Sequence, residues 1–275
     1  GVPARRDPHE RVPRRRGGGG AGRVPEQGVQ GPGAGRPPDH HPGGARRLHR
    51  LRRLRGRLPG QEQDRGPAHS YKQHIYVADL QNYYWDLEGI TPKTWFRPSD
   101  VPFDEEGAFV LKGMTNSKKF LWNTHMFAEN RSKVMDVYCR LQEDGLIGNQ
   151  DIYIRKYVPL VNYSISIRDL PISKEFRFFV AYGKVLSGGF YWSNFVEDIK
   201  ESGSVPSINE VPKEFLENVI ERIGKNINFY AIDVAETIEG KWIVVELNDG
   251  AMSGVSENDP DELYRNLARV INEDG

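Results

Sequence analysis

Cysteine is all but missing from this sequence: Cys139 is the single one in 275 residues. No disulfide can form within the chain, which fits a reducing, cytoplasmic compartment. Long apolar runs are also missing. None approaches the roughly 18–20 residues needed to cross a bilayer, and the start of the chain lacks the apolar core of a secretory signal. Residues 1–69 contain no Phe, Tyr, Trp, Ile, Met, Lys, Asn, Ser or Thr. They are mostly Arg, Gly, Pro and Ala, with 10 prolines and a Gly17–Gly20 tract. Such a composition buries too little apolar area to offset the entropy of ordering, so it predicts disorder.

The zero net charge hides an imbalance. Residues 1–70 hold 16 Arg against 6 acidic residues, while 71–275 hold 22 basic against 32 acidic residues. Three readings of 1–69 stay open. One is a structureless linker, and one is an Arg/Gly arm that neutralises nucleic-acid phosphates. The third is translation of a GC-rich gene start in the wrong frame, which would leave an N-terminal domain out of the sequence. Leu48, Leu51, Leu54 and Leu58 among arginines also allow a short basic amphipathic helix for a membrane surface or a partner. A nucleic-acid face on the acidic remainder is disfavoured.

Other chemistries are missing too. No Cys/His cluster has metal spacing; His69, His74 and His125 stand isolated and read as surface or packed residues. No Gly-x-Ser-x-Gly elbow and no Walker-type phosphate loop occurs, which leaves covalent nucleophilic hydrolysis unsupported.

From Ser70 onward the chain reads as globular. His74–Leu80 fits either a strand or a helix, and Thr91–Pro102, with three prolines, reads as a connection. Ala108–Leu111 reads as a buried strand with Lys112 at its exit, followed by a polar loop over Met114–Lys119. Asn130 is placed to cap a helix over Arg131–Asp144 that stops at Gly145. Asp151–Leu160 alternates as a strand. Glu175–Gly188 reads as a hairpin turning near Tyr182-Gly183. Pro212 opens a helix to about Lys225, and Asp259-Pro260-Asp261-Glu262 launches a last one to about Asn272. The order is strand, helix, strand, hairpin, helix, hairpin, helix: an α+β chain with antiparallel sheets.

The richest stretch is Phe229–Gly254. Two apolar strands, Phe229–Thr237 and Lys241–Asn248, flank Glu239-Gly240, a two-residue hairpin signal. Pairing symmetric about that turn sets residue i against residue 479 − i. Asp233 then faces Glu246, and Asn248 shares their face. Like charges directly opposed across strands repel, so a cation between them is expected. Two carboxylates and an amide oxygen suit Mg²⁺. Upstream cations complete the pattern: Lys112, Lys118, Lys119, and Arg177 on the polar face of Glu175-Phe-Arg-Phe-Phe. A Glu175–Arg177 ion pair is the plain reading of that strand. The alternative is that Arg177 and Lys112 face a polyphosphate whose Mg²⁺ sits on Asp233 and Glu246, as in stabilised phosphoryl transfer.

This ordered set resembles the ATP-grasp superfamily, in particular its stand-alone members. The likeness covers Ala108 to Ser256. It rests on Lys112, the loop Gly113–Lys119, the strand Ile152–Leu160, the Glu175-x-Arg177 strand and the Asp233 … Glu246-x-Asn248 set. The resemblance implies an ATP-grasp fold whose two α+β subdomains, 108–157 and 158–275, clamp ATP, with 70–107 a remnant of an N-terminal region or linker. It implies Lys112 and Arg177 as catalytic and phosphate-binding residues, joined by Lys118 or Lys119 and by Glu175. Lys156, Tyr157 and Val158 would lie by the adenine, and Asp233, Glu246 and Asn248 would hold one or two Mg²⁺, or Mn²⁺. The implied activity is ligation of a small or peptide-borne carboxylate to an amine or thiol through an acyl phosphate. A nucleotide-binding protein or kinase of the same fold is the alternative. Two departures stand out: MTNSKKF is not glycine-rich, and Arg155-Lys156 precedes the hinge where family members often carry an acidic residue.

Overall fold

The computed structural model describes residues 69–274, apart from 166–169 and 202. The expectations for 1–68, the arm and the leucine–arginine helix among them, lie outside the described residues.

The chain opens with α1 (Tyr71–Ala78) and α2 (Leu80–Tyr83). The ambiguous stretch near His74 is helical, and the cause is local. Ser70 accepts from Gln73 N while Gln73 Oε1 accepts from Ser70 N, both at 3.3 Å, closing a capping box. The helix α3 (Val134–Gln142) is shorter than expected at both ends. Arg131–Lys133 is a 3₁₀ turn, and the Asn130 side chain makes no capping bond, its oxygen accepting instead from the Ser132 hydroxyl.

The first sheet is antiparallel in the order β1 (Thr94–Trp95), β4 (Ile152–Lys156), β2 (Phe109–Gly113) and β3 (Phe127–Ala128). It packs on α3 through Phe109, Leu111, Val134, Val137, Leu141, Ile152 and Ile154. The region 70–107 is thus more than a linker: it supplies an edge strand here, and Val77, Leu80, Tyr83 and Leu87 to the core of the next sheet. Prolines 92, 98 and 102 fall outside the two residues of β1 and do not interrupt it.

β5 (Asn162–Ile165) and β6 (Pro171–Ser173) pair separately. The second four-stranded sheet is also antiparallel, with β8 (Lys184–Phe190) and β10 (Trp242–Asp249) outside and β7 (Glu175–Ala181) and β9 (Phe229–Glu236) inside. One face carries Phe176, Phe178, Val180, Tyr230, Ile232 and Val234 onto Leu216, Val219 and Ile223 of α5 (Lys213–Ile223). The other face carries Phe179, Ala181, Phe229 and Ala231 onto Leu263 and Val270 of α6 (Pro260–Asp274). The short helix α4 (Val196–Glu201) follows β8, and its Ile199 joins the first of these faces.

The β7–β8 turn falls at Tyr182-Gly183 as expected, both with positive φ (46° and 76°), and Ala181 pairs with Lys184. Positive φ at both central residues is the two-residue turn that matches strand twist. The β9–β10 hairpin departs from the two-residue expectation. Its loop is three residues, 238–240: Thr237 N donates to Lys241 O, Gly240 N donates to Thr237 O, and Gly240 has φ 77°. The pairs next to the loop (Trp242 with Glu236, Val244 with Val234) are therefore one residue off the anticipated register. A bulge at Val245 restores it, so Glu246 faces Asp233 and Asn248 faces Ala231.

Candidate active site

The second sheet lines up one cross-strand row. Gly189 of β8 pairs with Arg177, Arg177 with Asp233, and Asp233 with Glu246. Alternation along the strands puts their side chains on the face away from the Phe176 core. Arg177 grips Asp233 with two bonds, Nε and one Nη each at 2.7 Å from a carboxylate oxygen, and its other Nη donates to Gly254 O at 2.8 Å. The plain sequence alternative, an Arg177–Glu175 pair, is not formed; Glu175 instead accepts from the Ser173 hydroxyl at 3.0 Å. A residue directly opposite is nearer to Arg177 than one two positions along its own strand.

Asn248 Nδ2 donates to Asp233 Oδ2 at 3.1 Å. Glu246 is met from the first sheet by the Lys112 ammonium. Lys119 lies under aromatic cover: its Nζ donates to Tyr191 Oη at 2.6 Å and sits 4.3 Å and 4.9 Å from the ring centres of Tyr191 and Trp192. These groups border an open cavity of about 950 Å³, whose walls include Lys112, Lys119, Arg155, Tyr157, Glu175 and Glu246. Asp233 is 1% exposed, behind that wall.

Burial dominates the electrostatics. Desolvation raises the Glu175 carboxyl to about 7, and the nearby Lys119 charge only partly counters it. Burial also lifts Asp233, against the pull of the Arg177 guanidinium. The bidentate geometry at 2.7 Å is that of an ionised pair. For Glu246, burial pushes up but the attractions of Lys112, Lys119 and Arg155 win, and its carboxyl lies below the usual range. Lys119 is desolvated yet held above the ordinary lysine range by Tyr191, Glu175 and Glu246.

Not every expected residue converges here. Lys118 turns away: its ammonium bonds Asp144 at 2.8 Å, which holds that carboxyl down at about 2. Neighbouring residues in the turn leave the chain in different directions, so only one of the two lysines reaches the cavity. Lys156, Tyr157 and Val158 line it, but the Lys156 ammonium is bound to Glu105 at 2.9 Å and to Glu106 O. The Tyr157 N–H is donated to Ala108 O at 2.9 Å. Arg155 was not among the expected site residues. It is 6% exposed, lines the cavity, and donates to Val245 O at 2.6 Å and to Thr91 Oγ1 at 2.8 Å. A lone arginine inside the apolar strand IYIRK was its signal. Tyr191 and Trp192 were missed as well, since nothing local distinguishes them from core aromatics.

An ATP-grasp domain family, the third of its clade, matches residues 102–267, more than half of the chain. The chain belongs to that family. Its two antiparallel sheets with flanking helices are the α+β ATP-grasp fold that the order of motifs implied. Similar solved ATP-grasp structures include the ligase PsnB complexed with minimal precursor (12% identity over 73% of this chain and 62% of that one, TM-score 0.45). The D-alanine–D-alanine ligase of Bacillus anthracis complexed with ATP is another (16% identity, 75% and 71%, TM-score 0.46). A third is the D-alanine–D-alanine ligase of Coxiella burnetii (10% identity, 74% and 59%, TM-score 0.48). The chain spans 52% of PsnB in its complex with a phosphomimetic precursor, Mg and ADP. No curated protein matches it.

Proposed function

We propose that this ATP-grasp chain is an ATP- and Mg²⁺-dependent ligase that activates a small or peptide-borne carboxylate as an acyl phosphate and joins it to an amine or thiol. The observation that carries the reading is the row Arg177–Asp233–Glu246, met by Lys112 from the facing sheet at the edge of a cavity. Cations and oxygen donors converging on one enclosed space suit a metal-bound polyphosphate.

The donor set fits magnesium: Asp233, Glu246 and Asn248 share one face and offer oxygen ligands. Those three would hold the ion, which when bound supplies charge neutralisation on the phosphate oxygens. The protein's own groups do the rest. Lys112 is neutralised by Glu246, so a phosphate that captures the ammonium frees the carboxylate for a cation. Lys119, fixed against Tyr191, adds a second positive charge beside Glu175. Arg177 stays anchored and orients Asp233. The aromatic cluster of Trp122, Phe127 and Tyr157 shields the hinge end, where the bonded Tyr157 N–H leaves Val158 as the backbone contact for adenine. In this reading 108–157 and 158–275 act as the two halves of the clamp, working in a reducing cytoplasm.

The test is incubation with ATP, Mg²⁺ and pooled amino acids or peptides, followed by ADP release and product mass. Lys112→Met and Glu246→Gln should each lower ADP formation by about 10²-fold or more with unchanged circular dichroism. Full turnover in both variants refutes the assignment. A mass gain of one phosphoryl group with no joined product would instead identify a kinase.

A further inference from the structure

On the opposite face of β10 from Glu246 and Asn248, three side chains distant in sequence meet. His69 Nε2 lies 2.8 Å and His74 Nδ1 2.7 Å from the same oxygen, Oδ2 of Asp249. One ring nitrogen from each histidine and one carboxylate oxygen all lie within 4.8 Å of one another. Asp249 is 8% exposed, and its other oxygen accepts from Ala251 N at 2.8 Å, which fixes the carboxylate plane. The two imidazoles stand edge-on, 6.2 Å between ring centres.

The contact is a poor hydrogen-bond cluster. Both ring nitrogens of His69 are buried, and among the described residues neither has a partner in line with an N–H. Nε2 is close to the carboxylate but badly angled to donate to it. Buried polar atoms left this way are costly. We propose that His69, His74 and Asp249 form a binding site for a zinc-class divalent transition metal, distinct from the oxygen-only set across the strand. Two imidazoles and a carboxylate are the ligands such ions take, with an open fourth position for water. Tetrahedral bonds of about 2.0–2.2 Å space ligand atoms about 3.4 Å apart, so an ion seats after the two N···O gaps widen by roughly half an ångström. The Ala251 bond supplies the outer support that such ligands need. The ion would staple α1 to the end of β10.

The test uses the full chain stripped with chelator and titrated with Co²⁺ as the spectroscopic probe and Zn²⁺ as competitor. One equivalent should bind, with affinity falling at least about 100-fold in His74→Ala and in His69→Ala and unchanged in Glu246→Gln. His74 is partly exposed, so its replacement should leave the fold intact by circular dichroism; His74→Gln, which keeps helix propensity, is the second variant. Zn²⁺ should also raise the thermal midpoint of the wild type but not of these variants. Absence of stoichiometric binding, binding that survives loss of both histidines, or loss in Glu246→Gln each overturns the proposal. The outcome is independent of ligase activity.

Discussion

Arg177 and Asp233 are the most consequential pair to cut. Arg177 is 8% and Asp233 1% exposed, and two 2.7 Å bonds join them. Replacing Arg177 by Met keeps much of its volume but strands a carboxylate in the sheet. Unit charges about 4 Å apart interact by roughly 4 kcal/mol at an effective dielectric of about 20, and breaking buried pairs costs about 3–5 kcal/mol. Arg177→Met and Asp233→Leu should each lose that much, whereas the double variant should cost at least about 2 kcal/mol less than their sum. The assay is urea unfolding in chelator without nucleotide, which keeps ligand binding out of the comparison. With a slope of about 2 kcal/mol/M, each single variant moves the midpoint by roughly 2 M. The Arg177→Met deficit should also be larger at pH 8 than at pH 5, because an unpaired buried carboxyl is penalised only when ionised. Single losses below about 1 kcal/mol, or strict additivity, would show that the pair is not the buried, coupled unit described.

Glu175 gives the opposite pH signature to a paired carboxylate. Its folded value of about 7 lies above the ordinary 4.5, so stability is intact below pH 4.5 and is lost as pH rises through 7. Glu175→Gln should remove that loss, gaining on the order of 3 kcal/mol over wild type at pH 8 and little at pH 4.5; a flat difference across pH in urea melts would contradict it. A Cβ at Gly189 would collide with the backbone of Glu257 and Asn258, whereas one at Gly240 meets nothing within 4 Å. Gly189→Ala should therefore cost about 1–3 kcal/mol or more through overpacking, and Gly240→Ala only about 1 kcal/mol from its positive φ; thermal melts that reverse this order would refute the packing argument. Between the adjacent lysines, Lys119→Ala should weaken ATP binding about tenfold or more while Lys118→Ala leaves it unchanged, measured by calorimetry with Mg²⁺; equal losses would mean that Lys118 leaves Asp144 for the nucleotide.

What the sequence disclosed was whatever short-range rules govern. Period-two patterns located the two hairpins, and Tyr182-Gly183 marked one turn correctly. The opposition of Asp233 and Glu246 was reached although the loop is one residue longer than Glu239-Gly240 suggested, because the bulge at Val245 makes up the difference. No local pattern specifies such a bulge. The Arg177–Asp233 contact spans 56 residues and needs the order of β7 and β9, which hairpin rules do not give. The histidine cluster was invisible for the same reason: Asp249 lies 175 residues from His74, and each histidine alone is unremarkable. Asn130 carried a capping signal that the chain spends on Ser132.

The bulge has one more effect. β10 is an outer strand, and a bare strand margin is a template for another chain. Here the peptide groups around Val245 are already spoken for. Val244 N donates to Ile90 O, Thr91 Oγ1 donates to Val244 O, and Arg155 donates to Val245 O. That flank of the sheet is closed to strand addition at its middle, so self-association by edge pairing would have to begin elsewhere.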